Sequence, residues 1–126
     1  MAIIYNPPEW TAGDTESLQY RITDEFGAAI DITGYTGTMQ VRSTFDGALI
    51  ATSTGVLNVD DSTITYTFPP LQTANFRSTG AGNYLYDAET VSPDGVTTTD
   101  VRGTIAVVMD ITRAAAAPAG TFGGPV

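Results

Sequence analysis

The sequence contains no cysteine, no histidine and no lysine. Each absence removes a class of chemistry. Without Cys or His there is no Ser-His-Asp or Cys-His nucleophilic site and no thiolate or imidazole metal centre. Without Lys there is no Schiff-base catalysis and no phosphate-cradling P-loop. Carboxylate pairs, Ser or Tyr chemistry and an all-oxygen cation site are what remain. No disulfide can form, so cysteine usage says nothing about the redox compartment.

Positive charge is scarce as well. Five arginines, Arg21, Arg42, Arg77, Arg102 and Arg113, oppose fourteen acidic residues and leave a formal net charge of −9. They are scattered, whereas phosphate contacts need clustered Lys and Arg, so no nucleic-acid partner is expected. No stretch approaches the roughly 20 apolar residues of a membrane span, so no membrane partner is expected either. The opening MAIIYNPPEW has neither a basic region nor a long apolar run, and is not expected to act as a signal peptide.

What is present suits one folded, turn-rich domain. The 126 residues are 42% apolar and include 13 Gly and 7 Pro. A chain of this size buries roughly two-thirds of its unfolded surface. Three zones are expected: an N-terminal arm over residues 1–13, a β domain over 14–113, and an Ala/Gly/Pro-rich tail over 114–126.

The middle zone alternates with period two, as half-buried strands do. Leu18, Tyr20 and Ile22 share one face of a first strand, and DEFG at 24–27 reads as a turn. Met39 and Val41 mark a second strand, ended by FDG at 45–47. Leu49 and Ala51 begin another, and residues 56–59 add a short one. Ile64, Tyr66 and Phe68 alternate with threonines until Pro69-Pro70 stops the strand. LQTANF at 71–76 allows one helical turn. In the last strand Val101, Ile105, Val107, Met109 and Ile111 share a face. Seven or eight short antiparallel strands imply an all-β, immunoglobulin-like sandwich with extended terminal arms; a small barrel is the alternative.

GNYLYDAETVSPDGVTTT, residues 82–99, carries the densest signal. SPDG at 92–95 is a turn sequence, because Pro presets φ, Asp bonds locally and Gly accepts positive φ. A four-residue loop pairs Val91 with Val96, and that register sets Tyr86 opposite Val101 and Tyr84 opposite Gly103, both on the apolar face of the last strand. It also sets Asp87 opposite Asp100, Glu89 opposite Thr98 and Arg102 on the diagonal. Two readings follow. One is a paired-carboxylate site for acid/base work or a cation. The other, and the expected one, is a solvated face on which Arg102 offsets two acids. Asp60-Asp61 lacks calcium-ligand spacing and reads as a solvated loop. No catalytic residue, metal or cofactor is expected.

The ends remain. Ile3, Ile4, Tyr5 and Trp10 in the first arm, with Phe122 in the tail, are candidate partner-binding anchors. The competing reading of the first arm is a terminal strand pinned on its own domain.

The stretches GDTESLQYRITDEFGAAIDITGYTGTMQVRS and GNYLYDAETVSPDGVTTTDVRGTIAVVMDITR resemble small bacteriophage structural proteins. They look like the immunoglobulin-like N-terminal domain of phage upper-baseplate proteins and related prophage proteins. The matching segments are Gly13-Asp14-Thr15, Asp31 to Thr36, Gly82 to Asp87 and Gly103 to Val107. The resemblance spans about residues 13–113, and the family supplies no catalytic residues. No receptor-binding or trimerising module follows the domain here, so a self-contained virion component is expected. The resemblance implies a non-enzymatic virion protein, first of all a capsid decoration or cement protein. Its partners would be the major capsid protein or other virion proteins, and copies of itself. A tail, neck or baseplate component is the alternative. A carbohydrate-binding module, with Tyr and Trp as stacking platforms, is the third.

Overall fold

The structure is a computed structural model, and it describes residues 3–44 and 47–109. Nine strands are present among them: β1 (Ile3–Ile4), β2 (Trp10–Ala12), β3 (Glu16–Arg21), β4 (Thr36–Arg42), β5 (Leu49–Thr54), β6 (Val56–Asn58), β7 (Thr63–Phe68), β8 (Gly82–Val91) and β9 (Thr97–Met109). Two single-turn helices, α1 (Pro70–Thr73) and α2 (Phe76–Thr79), join β7 to β8.

The strands form two sheets. The larger runs β1-β9-β8-β4-β5, with β2 also on β9, and the smaller runs β3-β7-β6. The order β9-β8-β4-β5 facing β3-β7-β6 is that of an immunoglobulin-like sandwich, G-F-C-C′ against B-E-D. One expectation needs correction. The larger sheet is mixed rather than antiparallel, because β1 and β2 run parallel to β9. The domain expected over 14–113 contains seven of the described strands, β3 to β9, and the N-terminal segment adds the two short ones, Ile3–Ile4 and Trp10–Ala12.

Alternation along each strand fills the space between the sheets. Met39 and Val41 of β4, Ile64, Tyr66 and Phe68 of β7, Tyr84, Tyr86 and Ala88 of β8, and Val101, Ile105 and Val107 of β9 all point inward and are buried. Trp10 closes one side of this core, its ring 5.1 Å from Phe68 and 6.4 Å from Phe76. Phe76 in turn stands edge-on to Tyr84 at 4.7 Å. Burying a side chain such as Phe76 stabilises the fold by about 1.5–3 kcal/mol, which explains why a lone helical turn persists here.

Two corners define the shape. β5 passes into β6 through Gly55, whose N–H still bonds Gly37 O at 2.9 Å in the larger sheet while the next residue, Val56, pairs with Thr65 in the smaller. A side chain at Gly55 would meet Ile64 Cδ1 at 2.3 Å, so the crossing needs glycine. At the second corner the Tyr84 hydroxyl donates back to Gly80 O. That is the tyrosine corner of immunoglobulin-like domains, at the connection where it occurs in them.

Candidate functional site

The β8–β9 hairpin decides what the acidic residues can do, and its register differs from the expected one. The loop is five residues long, with Ser92 N–H donating to Val96 O at 3.0 Å and Gly95 N–H to Ser92 O at 2.8 Å. Val91 therefore pairs with Thr97, not Val96. A slip of one residue on its own would turn every apolar side chain of β9 to solvent. A bulge corrects it: Glu89 faces Thr99, Ala88 faces Val101, and Asp100 between them has no opposite residue. Two slips of one restore the apolar face. Tyr86 then sits opposite Gly103 and Tyr84 opposite Ile105.

The expected pair of carboxylates is thereby taken apart. Asp87 stays on the outer face, exposed and directly opposite Arg102. Asp100 turns inward, half-buried, and its Oδ2 accepts from the Tyr20 hydroxyl at 2.8 Å. The Tyr20 oxygen lies 3.1 Å from the Tyr66 hydroxyl. Since Tyr20 gives its proton to Asp100, it accepts from Tyr66. The chain of groups crosses the sandwich, from β7 and β3 in one sheet to β9 in the other.

Burial pushes the Asp100 carboxyl above its ordinary range, and hydrogen bonds from Tyr20 and Thr90 pull it part of the way back. Burial likewise pushes Tyr66 up to about 12, helped by the charges of Asp100 and Glu89. Tyr20 moves in the same direction, first through burial, then through its Tyr66 and Asp100 neighbours. A tyrosine that holds its proton this tightly serves as a donor and not as a base near neutral pH. The cluster ties two sheets together.

The outer face of the larger sheet carries a concavity of about 720 Å³, whose lining includes Ile4, Gln40, Arg42, Leu85, Asp87 and Arg102. Arg42 is held by its own hairpin, donating to Gly47 O at 2.9 Å and to Gln40 Oε1 at 3.0 Å. Among the described residues, two of the five arginines thus line this concavity with one acid, Asp87. Among the described residues no group of three or more acidic side chains is placed to hold a metal ion. Asp61 accepts from Asn58 Nδ2 at 3.1 Å, within the exposed β6–β7 loop.

The expected anchors separate. Trp10 is 2% exposed and belongs to the domain's own core, so it cannot grip a partner or stack on a sugar. The correction has a simple cause: β2 pairs with β9 at Trp10↔Val107 and directs the indole between the sheets. Ile3 and Ile4 are 66% and 69% exposed on β1, and remain available. Tyr5 is 46% exposed, while its backbone is engaged: its N–H donates to Arg102 O at 2.9 Å, and its carbonyl accepts from the Tyr86 hydroxyl at 2.6 Å. That carbonyl lies where a side chain at Gly103 would be, at 2.2 Å from the Cβ position. Phe122 and the tail, like Ile111 and the FD of the FDG turn, lie outside the described residues.

Sequence reasoning missed the Tyr20–Tyr66–Asp100 cluster. Its signal was faint: two tyrosines at inward positions of two separate strands, each needing a partner for its hydroxyl. Among the described residues no helix is long and apolar enough to cross a membrane. No protein-family model and no curated protein matches the chain.

Proposed function

We propose that the protein is a non-enzymatic structural component of a bacteriophage virion, and specifically a capsid decoration protein whose partner is the major capsid protein. One observation carries the reading: of the four segments that resemble phage immunoglobulin-like domains, three fasten the entries to β3, β4 and β8, and the fourth, Gly103 to Val107, is where β9 receives the N-terminal segment. Gly13 N–H donates to Thr73 Oγ1 at 3.0 Å, and that hydroxyl donates to Asp14 O at 2.7 Å, fastening the entry to β3. Asp31 Oδ1 accepts from Thr33 N–H at 3.0 Å and its hydroxyl at 2.7 Å, around a fully buried Ile32. Gly82 to Asp87 begins β8 and contains the tyrosine corner. Gly103 lies beneath the Tyr5 carbonyl.

Docking on this reading uses the sandwich surface with Ile3, Ile4 and Tyr5 as apolar anchors, and many identical copies supply avidity. The test is direct. Purified protein is mixed with capsids that lack it, and co-sedimentation is measured. Saturable binding that falls when Ile3 and Ile4 are both changed to Ser supports the proposal. Negligible binding of the unaltered chain overturns it.

A further inference from the structure

The four outer edges of the two sheets are treated differently. The β9 edge of the larger sheet is covered by β1 and β2, and where Pro7-Pro8 interrupts them, Asn6 Oδ1 accepts from Thr104 N–H at 3.0 Å in place of a strand. At the opposite edge, side chains from the helical segment cover β5: Thr52 N–H donates to Gln72 Oε1 at 3.2 Å, and Asn75 Nδ2 donates to Ile50 O at 3.0 Å. In the smaller sheet β6 is only three residues long. Short strands, prolines and side-chain cover are the usual guards against edge-to-edge pairing. β3 has none of them. It is six residues, ESLQYR, without proline, glycine or bulge.

The ladder shows which of its backbone groups are open. Ile22 N–H bonds Ser62 O at 2.8 Å, continuing the β3–β7 register in which Arg21 faces Thr63 and Tyr20 faces Ile64. Hydrogen-bonded pairs alternate in an antiparallel ladder, so residues 18 and 20 point their N–H and C=O groups at β7, while the Ile22 carbonyl accepts from Ile30 N–H at 3.1 Å. Those of Ser17, Gln19 and Arg21 point away from it. Among the described residues no hydrogen bond reaches these backbone groups, and all three residues are exposed.

We propose that β3 is a self-association edge, and that two copies of this chain pair their β3 strands antiparallel about a twofold axis at Gln19. In that register Ser17 faces the partner's Arg21 and Gln19 faces the partner's Gln19, so the three open residues of each strand meet one another. A twofold axis normal to the sheet keeps each side chain on its own face. The inner face then sets Leu18 beside the partner's Tyr20, and no like charges stand directly opposite, which would weaken the pair. The result is a continuous sheet β6-β7-β3-β3-β7-β6 with an isologous interface. Repulsion between two chains of net charge −9 opposes it, but exposed charges are screened beyond about 8 Å at physiological ionic strength.

The experiment uses the full chain in solution. Light scattering across a dilution series is expected to give a species of twice 13.2 kDa that dissociates on dilution. Gln19→Pro removes an outward N–H and, of the bonds to β7, only the exposed one from Gln19 Nε2 to Thr65 Oγ1 at 2.8 Å, so it leaves the fold intact by circular dichroism and shifts the dimer wholly to monomer. Gln19→Glu sets two carboxylates across the axis without touching the backbone, and weakens the dimer at least tenfold. Because the chain has no cysteine, Gln19→Cys is a clean reporter: opposed residues at a hydrogen-bonded pair lie about 5.5 Å apart at Cα, within disulfide reach. Oxidation links it into a dimer, whereas a cysteine at Gln40 on the outer face does not link. An unaltered chain that is monomeric at every concentration overturns the proposal, as does a dimer that both Gln19→Pro and Gln19→Glu leave unchanged. The pairing rests on the strand edge and is independent of the virion reading. A dimer that ignores capsids sinks only that reading, and a monomer that binds them sinks only this one.

Discussion

The two faces of the larger sheet are built by the same strands and have opposite chemistry. The inner face carries Trp10, Met39, Val41, Tyr84, Tyr86, Val101, Ile105 and Val107, none more than 5% exposed. The outer face carries Gln40, Arg42, Leu85, Asp87, Arg102 and Thr104, which border a single concavity. Keeping the two apart costs the β8–β9 hairpin some regularity. A five-residue loop moves β9 by one position, and the bulge at Asp100 moves it by one more. The division between faces is the stronger constraint, because a single slip would expose the apolar side of β9 while a bulge disturbs the ladder only locally. Asp100 lies on the boundary between the faces.

The comparison predicts effects that shrink from the inner face outward. Trp10→Ala empties a site bounded by Phe68 and Phe76, and should destabilise the fold by about 3–5 kcal/mol. Urea unfolding reads this, and an unchanged midpoint would show that the indole is not core.

At the boundary, Tyr20→Phe deprives the half-buried Asp100 carboxylate of a donor and should cost about 1–3 kcal/mol. Its pH dependence has a definite sign. The folded-state pKa of Asp100 is raised by burial, so the folded chain binds that proton more tightly than the unfolded one. The associated stability is fully present below the ordinary aspartate value and is lost as pH rises through the raised one. Tyr20→Phe removes a bond that lowers the pKa, and so widens this window upward. Asp100→Asn abolishes it. Thermal melts from pH 3 to 7 separate the three chains, and identical profiles would place Asp100 in solvent.

On the outer face, Asp87→Ala removes only a cross-strand partner of Arg102 and should shift stability by about 0.2–1 kcal/mol. A loss of several kcal/mol in the same urea series would mean that the outer face is structural.

The sheet membership of most residues was legible in the sequence. Period-two alternation marked Ile64, Tyr66 and Phe68, and it marked the inward set of β9, because burial on one face leaves that trace whatever the pairing partner. Pro69-Pro70 marked the end of β7 for an equally local reason. The register of the hairpin was harder. SPDG identifies a turn, but a loop of four or five residues both fit it, and nothing in TTTD announces a bulge. Trp10 was ambiguous on its own: an aromatic in a proline-flanked segment suits an exposed anchor or a core plug equally well.

Composition and alternation alone determined that this chain makes a two-sided β structure without thiol, imidazole or amine chemistry. Those properties depend on residue type and on neighbours two positions apart. The tertiary structure decided that residues 3–12 close the domain's own edge, that Asp87 and Asp100 stand on opposite sides of a sheet, and that, among the described residues, β3 keeps a full-length open edge. Each of these depends on which strand lies beside which, and contacts such as Tyr20 with Asp100, 80 residues apart, leave no mark in the local sequence.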